Sequence, residues 1–513
     1  MRAMSHPPPS PYYVPAPPRR RRAPLIAAVA AVVVVALVAL GVWLLVRGSG
    51  PTASPTATVN PCDEQPYDPQ IGPTKGNASL GDPYLCWAGG AGYDALSYDV
   101  QVSVEPATAQ ITGQAEVVVR LTEEVDAVHL DLVLQASAVT VDGASVEFAQ
   151  DGLDLAVPTD ARVGDEVTIG VEYSGVPKMR SEMGEAVRRQ GSEILLADEP
   201  AGPVTWMPIN SHPSDPAMFS VAVSVPRGVE AISVGRLVSN GPDPDAPGRD
   251  LWVWAADEPV VSYAIMLAVG QYELDGPRNV TVGGKTVQYV AAAPVGAEAE
   301  QALEWLSRSI EAADALTEFA GEYPLTSLGG IVPPMPTGWA LETHGRPIYD
   351  SVWIPDDSVI THELAHFWFG NKVVLTRWDD IVTKEGLASY SEYAADFTGR
   401  NLTPEEFLES TYDDNRLIDW NQSISDPGSG LDAYSYKVYQ GGGAALQALR
   451  NRMGDEAFGA FIKAWADQEG PHSLEEFRQM AQEYSPTDVS GLLAAWFDDK
   501  QRPARTAENG LGG

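Results

Sequence analysis

The chain has 513 residues, 44% of them hydrophobic, and a formal net charge of −37. So acidic a surface repels phosphate backbones and anionic lipid faces, which excludes nucleic acid as a partner and direct adsorption to an anionic membrane. The length suffices for two or more domains with real cores.

Residues 1–24 carry five arginines, no acid and eight prolines. That composition favours extended polyproline conformations over a packed core and reads as a disordered cytoplasmic tail. Residues 25–46 form an uninterrupted apolar run of 22 residues, long enough to cross a bilayer core as one helix. Arg19 to Arg22 stand before it and Arg47 after it, so the positive-inside rule puts the N-terminus in the cytoplasm and the rest outside. The run is too long for a usual signal core, and no strong A-x-A site follows it, which favours an uncleaved single-pass anchor in the cell membrane. Residues 47–60 have linker composition. The only two cysteines, Cys62 and Cys86, lie just beyond; in an exported chain they most simply form one disulfide, and no histidine lies near them to suggest a metal.

From about Asp94 to Ala293 short segments alternate apolar and polar residues, as in S-Y-D-V-Q-V-S-V-E and V-T-I-G-V-E-Y, with Gly, Pro and Asp between them. Many short strands with frequent turn signals predict an all-β, sandwich-like domain over residues 61–293. From about Gly296 the period changes to three and four, predicting a helix over A-E-A-E-Q-A-L-E-W-L-S-R-S-I-E-A-A-D-A-L-T-E-F. Further helices are expected around His362 and Glu385, over Pro404 to Leu417, Gly442 to Arg452, Phe458 to Trp465 and Leu474 to Tyr484. The second domain therefore spans 294–500 and is mostly helical, with 501–513 left as a disordered C-terminal tail.

Chemistry concentrates between Val359 and Tyr393, in V-I-T-H-E-L-A-H-F-W-F-G-N followed by K-E-G-L-A-S-Y-S-E-Y. His362 and His366 are four apart, so on a helix both imidazoles leave one face and can grip one metal ion. Glu363 sits beside the first histidine, where its carboxylate reaches a water on that metal without being a ligand. A catalytic zinc site takes three protein ligands and keeps one position open, and Glu385 is the natural third ligand for a single zinc ion. Glu392, two helical turns after Glu385, shares its face and is placed either to orient a ligand histidine or simply to face solvent. The bland alternative, an amphipathic helix with surface histidines, leaves Glu385 unexplained.

Three further stretches give the sequence a specific likeness. H-E-L-A-H-F-W-F-G-N with T-R-W-D-D after it, and K-E-G-L-A beginning 18 positions beyond His366, resemble the zinc signature of the aminopeptidase N family of zinc metallopeptidases, the gluzincins. In that family the ligand Glu of an N-E-G-F-A-like motif follows the second histidine by 19, as Glu385 follows His366. G-W-A-L-E-T at Gly338 to Thr343 looks like the family's G-x-M-E-N element, whose Glu corresponds to Glu342 and holds the free α-amine of a peptide. V-Y-Q-G-G-G-A-A-L-Q-A-L-R is similar to the family's V-Y-E-K-G-A element, whose tyrosine corresponds to Tyr439 and stabilises an oxyanion; Tyr434 and Tyr436 are its rivals on sequence alone. T-W-M-P-I-N-S-H-P-S-D-P-A and V-S-N-G in the β domain look like family text as well.

The resemblance implies an N-terminal β domain and a thermolysin-like α+β catalytic domain, which with the single transmembrane helix read from the apolar run makes a multidomain fold. It implies a zinc peptidase acting on peptide substrates and removing their N-terminal residues, with no long C-terminal helical domain over the site. Two other classes stay open: a zinc endopeptidase or other hydrolase on the same scaffold, and a non-catalytic membrane-tethered binding protein. The chain departs from family text where Asn of G-x-M-E-N is Thr343 and where Asn before the ligand Glu is Lys384. A β-domain Gln that helps bind the amine in many aminopeptidases aligns with Ala197, with Asp198 and Glu199 adjacent; either acid is placed to substitute.

Overall fold

Alternation decides the first half of the fold. Along Gln110–Leu121 every second residue is buried, so one face is apolar and the other is wet. Tyr93–Glu105 pairs with it antiparallel, bringing Val100 opposite Ala115 and Val104 opposite Ile111. The computed structural model describes residues 78–178, 186–395, 402–428 and 430–512. The predicted tail, the apolar run 25–46, the linker and Cys62 lie outside these, and with them the proposed anchor and the Cys62–Cys86 pairing. Among the described residues no helix is long and apolar enough to cross a membrane.

The two strands form the middle of an eight-stranded sheet. Its order is Arg236–Pro242, Arg249–Ala255, Met218–Pro226, Tyr93–Glu105, Gln110–Leu121, Glu166–Gly175, Gln135–Val141 and Ala144–Ser145. Every pairing is antiparallel except that of Tyr93–Glu105 with Met218–Pro226. A smaller sheet orders Glu230–Ile232, Leu267–Gly270, Glu193–Leu196 and Val187–Gln190. The strand Glu193–Leu196 runs directly into the segment that carries Asp198 and Glu199.

Strand character continues to Pro294, as the alternation implies. Tyr272–Val282 and Lys285–Pro294, however, hydrogen-bond onward to Ser327–Ile331, which runs parallel to the latter. Strand character is local, but sheet membership is settled by the partner, and it places this hairpin with the helical half. Ala299–Ser307 (α1) and Ser309–Ala320 (α2) lie between. The sequence suggests one helix here; Arg308 divides it, its N–H donating to Trp305 O at 3.0 Å in a tightened turn.

The remaining helices fall where periodicity puts them: Asp357–Ala365 (α3), Val382–Ala394 (α4), Pro404–Asp413 (α5), Gly442–Met453 (α6), Asp455–Ala466 (α7) and Leu474–Tyr484 (α8). Their starts are written in the sequence. Thr403 with Glu406 and Ser473 with Glu476 form capping boxes, and the Asp356 carboxylate accepts from Ser358 N at the head of α3.

Two features hold the frame around the site. A Cβ on Gly442 would stand 3.0 Å from Gly386 Cα and 2.8 Å from Val382 Cγ2, so α4 and α6 approach this closely only because both crossing residues are glycine. Arg346 is wholly buried and joins the halves: its guanidinium donates to Ser233 O and Gly235 O on one side and to Val290 O on the other.

The expected disorder of 501–513 is corrected for residues 501–512. Leu511 is fully buried, Trp496 Nε1 donates to Asn509 O at 3.1 Å, and Asn451 Nδ2 donates to Gly510 O at 3.0 Å. Gly510 has φ +71 and lies so close to the Ala448 backbone that a side chain would not fit. A short polar, glycine-rich end reads as a tail; a groove beside α6 gives it partners that no local pattern announces.

Candidate metal centre

Helix α3 carries His362 in its last turn, and His366 is the residue that caps it. The two rings stand 4.9 Å apart between centroids, both facing α4. His362 Nε2 lies 3.3 Å from Glu385 Oε2, and His366 Nε2 lies 3.5 Å from the same oxygen. Each remaining nitrogen has an acceptor: His362 Nδ1 meets Glu392 Oε1 at 2.9 Å, and His366 Nδ1 meets Phe369 O at 3.0 Å. Two acceptors place a proton on each Nδ1 and leave both Nε2 atoms facing the Glu385 carboxylate.

The spacing fits a tetrahedral ion. Ligand atoms each about 2.1 Å from zinc stand about 3.4 Å from one another. The two nitrogen–oxygen separations match that span, and the set is nitrogen-rich with one carboxylate. Burial by itself would raise the Glu385 pKa, but Lys384 and the two histidines outweigh it and hold the carboxylate well below its ordinary range. Burial would likewise favour neutral His362; Glu385 and Glu392 overcome it and favour positive charge at that ring. These residues are poised for a cation.

Glu363 is buried, and a carboxylate oxygen of it, one of Glu342 and a ring nitrogen of His366 lie within 4.8 Å of one another. Burial pushes its carboxyl well above the usual carboxylate range, against the pull of His362. The ring of Tyr439 stacks parallel to His362, with 5.9 Å between centroids and 2° between planes. It is carried by a single π turn, Lys437–Gly441, immediately before α6. The close crossing of Gly442 over Gly386 therefore fixes the tyrosine against the histidine. Of its rivals, Tyr434 also feels Glu199 and Glu385, whereas the Tyr436 phenol is raised by burial alone.

Glu342 stands at the base of a tight hairpin in which Leu341 and Ile348 exchange backbone hydrogen bonds of 3.0 and 2.8 Å. The hairpin is tied to the β half through Gly235 N to His344 O and His344 N to Ala264 O. Glu199 arrives from that half, and oxygens of Glu199, Glu342 and Glu385 gather within 4.8 Å. Between them sits a residue whose role the sequence left unread. Lys384 Nζ, fully buried, contacts Glu199 Oε1, lies 2.7 Å from Glu342 Oε1 and 3.0 Å from Glu385 Oε1, and stands 4.7 Å over the Tyr263 ring.

The structure thus gathers His362, Glu363, His366, Glu385, Glu392, Tyr439 and Glu342 in one place. Of the two acids after Ala197, Glu199 is the one in contact with the Lys384 ammonium. The sequence pointed to Glu342 and to one of Asp198 and Glu199 at this place, and to Lys384 only as a departure from family text. The family-like text of the β domain does structural work instead: Asn210 Nδ2 donates to Asp215 Oδ2 at 2.6 Å, and Ser211 Oγ to Asp131 Oδ2 at 2.5 Å, in a buried network.

Residues 307–496 match the family described as Peptidase family M1 domain. The chain is similar to Aminopeptidase M1-B of Oryza sativa subsp. japonica, 25% identical over 463 residues that cover 80% of this chain and 50% of that protein. It is similar to Aminopeptidase N of Lactococcus lactis subsp. lactis, 23% identical over 456 residues, covering 80% and 52%. The chain therefore spans about half the length of these relatives. Among solved structures, the M1 zinc metallopeptidase of Deinococcus radiodurans is 25% identical with a TM-score of 0.72, covering 83% of this chain and 98% of that one. A mutant of an M1 zinc metallopeptidase from the same organism, bound to a Tyr-Ser-Ala substrate, gives a TM-score of 0.76 at 24% identity, covering 83% and 100%.

Proposed function

We propose that this chain is a member of the aminopeptidase N family, the gluzincins of peptidase family M1, and that it hydrolyses peptide bonds with one zinc ion and removes N-terminal residues from peptides. The observation that carries this reading is the convergence of His362 Nε2, His366 Nε2 and Glu385 Oε2 at ligand spacing, with both Nδ1 atoms held by acceptors.

His362, His366 and Glu385 would hold the zinc ion, which would supply a Lewis acid able to acidify a water and polarise a carbonyl. Glu363 acts as general base, taking the proton of the attacking water and passing it to the leaving amine. The Tyr439 phenol, kept neutral by burial, donates a hydrogen bond to the oxyanion that develops on the attacked carbonyl. Glu342, with Glu199 beside it, holds the substrate's N-terminal ammonium and so sets the first peptide bond over the metal. Glu392 and Phe369 O orient the two histidines.

The enzyme works outside the cytoplasm on a single-pass anchor at residues 25–46, a reading supported by the 22-residue apolar run and the arginines before it. Endopeptidase action is the second reading, and one observation favours it: Lys384 already neutralises the acids that would hold a free amine.

Zinc-loaded residues 60–513 given a peptide with a free N-terminus and its acetylated twin separate the two, with Glu363→Ala as the blank and mass spectrometry reading the products. Stepwise shortening of the free peptide alone supports the aminopeptidase. Internal cleavage of both supports the endopeptidase, and no zinc-dependent cleavage of either overturns both.

A further inference from the structure

We propose that Lys384 is a specificity-determining residue: its ammonium stands inside the carboxylate pocket that Glu199 and Glu342 offer to a substrate's N-terminal ammonium, and so weakens the binding of free N-termini. The inference rests on the assignment of Glu342 as the amine anchor.

An ammonium has three N–H donors, and Lys384 faces three carboxylates, one each from the β half, the Leu341–Ile348 hairpin and α4. The Tyr263 ring covers the ammonium on a further side. The lysine is therefore held by acids where it stands, hydrogen-bonded to Glu199 Oε1 and ion-paired with the other two. It has nowhere to withdraw, since its side chain is fully buried and its backbone lies in the first turn of α4, one residue before the ligand Glu385. An arriving substrate ammonium meets two acids that a fixed cation has already half satisfied, and it also meets that cation's repulsion at short range.

The pocket is not closed to it. The Lys384 Nζ to Glu342 Oε1 contact is short but off-axis for a hydrogen bond, which leaves that oxygen without a well-aligned donor. A second ammonium can join there rather than displace the first. Sharing predicts reduced affinity for charged N-termini, with neutral N-termini indifferent to Lys384. A purely structural lysine would give the opposite pattern, in which its loss damages binding of both.

The test uses zinc-loaded protein in a Glu363→Ala background, so that ligands bind without turnover. Calorimetry compares L-leucinamide, a monocation at its N-terminus, with neutral N-acetyl-L-leucinamide, for Lys384 and for Lys384→Asn; zinc stoichiometry is measured on each. The expected result is leucinamide binding at least about tenfold tighter in Lys384→Asn, with N-acetyl-leucinamide unchanged and zinc retained. Unchanged or weaker leucinamide binding at full zinc occupancy overturns the proposal. Should the bare charge removal prevent folding, the charge-balanced pair Lys384→Asn with Glu199→Gln, compared with Glu199→Gln alone, must show the same gain or the proposal fails. The readout does not depend on catalysis: an enzyme inactive on every peptide but with the leucinamide difference intact would sink the proposed function and leave this role of Lys384 standing.

Discussion

Replacing Glu392 by alanine should weaken zinc binding about 10- to 100-fold while leaving the fold intact. The bond in question is charge-assisted, 2.9 Å long, and both side chains are largely buried, at 13% and 9% exposure. Hydrogen bonds to charged groups contribute roughly 1.5–3 kcal/mol, and each 1.4 kcal/mol is about tenfold in affinity, which reaches the same range by a separate route. Losing Glu392 releases the His362 ring to rotate and lets its proton settle on either nitrogen, so part of the population presents no lone pair to the metal. His366 keeps its own support from Phe369 O at 3.0 Å, so one ligand alone is affected and the site is weakened rather than abolished. Competition for zinc against a chromogenic chelator gives the affinity, and far-ultraviolet circular dichroism controls for folding. Glu392→Gln retains an acceptor of the same shape and should lose less than alanine does. A zinc affinity for Glu392→Ala within about twofold of the parent would refute the argument that this carboxylate orients the ligand.

Two other predictions follow from the same geometry. Tyr439→Phe should lower kcat by about 100- to 1000-fold with little change in KM, whereas Tyr436→Phe should stay near the parent; steady-state kinetics showing the reverse would move the oxyanion role to Tyr436. Lys437 is 1% exposed, has no hydrogen-bond partner for Nζ and lies 4.2 Å over the Trp420 ring, and burial brings its pKa down to about 8. In the unfolded chain the same group titrates near 10.4, so between those values the unfolded state binds more protons and stability rises with pH. At pH 7 the buried charge costs about 3 kcal/mol, and Lys437→Met should recover up to that amount, with the gain fading from about pH 8 and nearly gone by about pH 10. Urea unfolding at the two pH values checks it, and a gain that does not change with pH would show that packing rather than charge is responsible.

Helices α3 and α4 and their ligands were legible in the chain because the information is local. Histidines four apart share a helix face, and a glutamate at fixed distance on the next helix completes the set. The alternation of Gln110–Leu121 was legible for the same reason. Where one helix was expected, the break at Arg308 depends on a single tightened turn that composition does not mark.

What only the tertiary structure decided are the pairings between distant segments. It chose Glu199 over Asp198 as the partner of Lys384 across 185 positions, brought Glu392 to His362, set Tyr439 rather than Tyr436 against the histidine ring, and tied Gly510 to Asn451 of α6. The physical reason is common to all of them. Residue type and spacing determine which groups a segment presents and on which face, but whether a buried charge meets an acid, a ring or another cation depends on how the β half, the Leu341–Ile348 hairpin and α4 close on one another. That closure rests on Arg346 and on the glycine crossing of α4 and α6, contacts whose partners lie far apart along the chain.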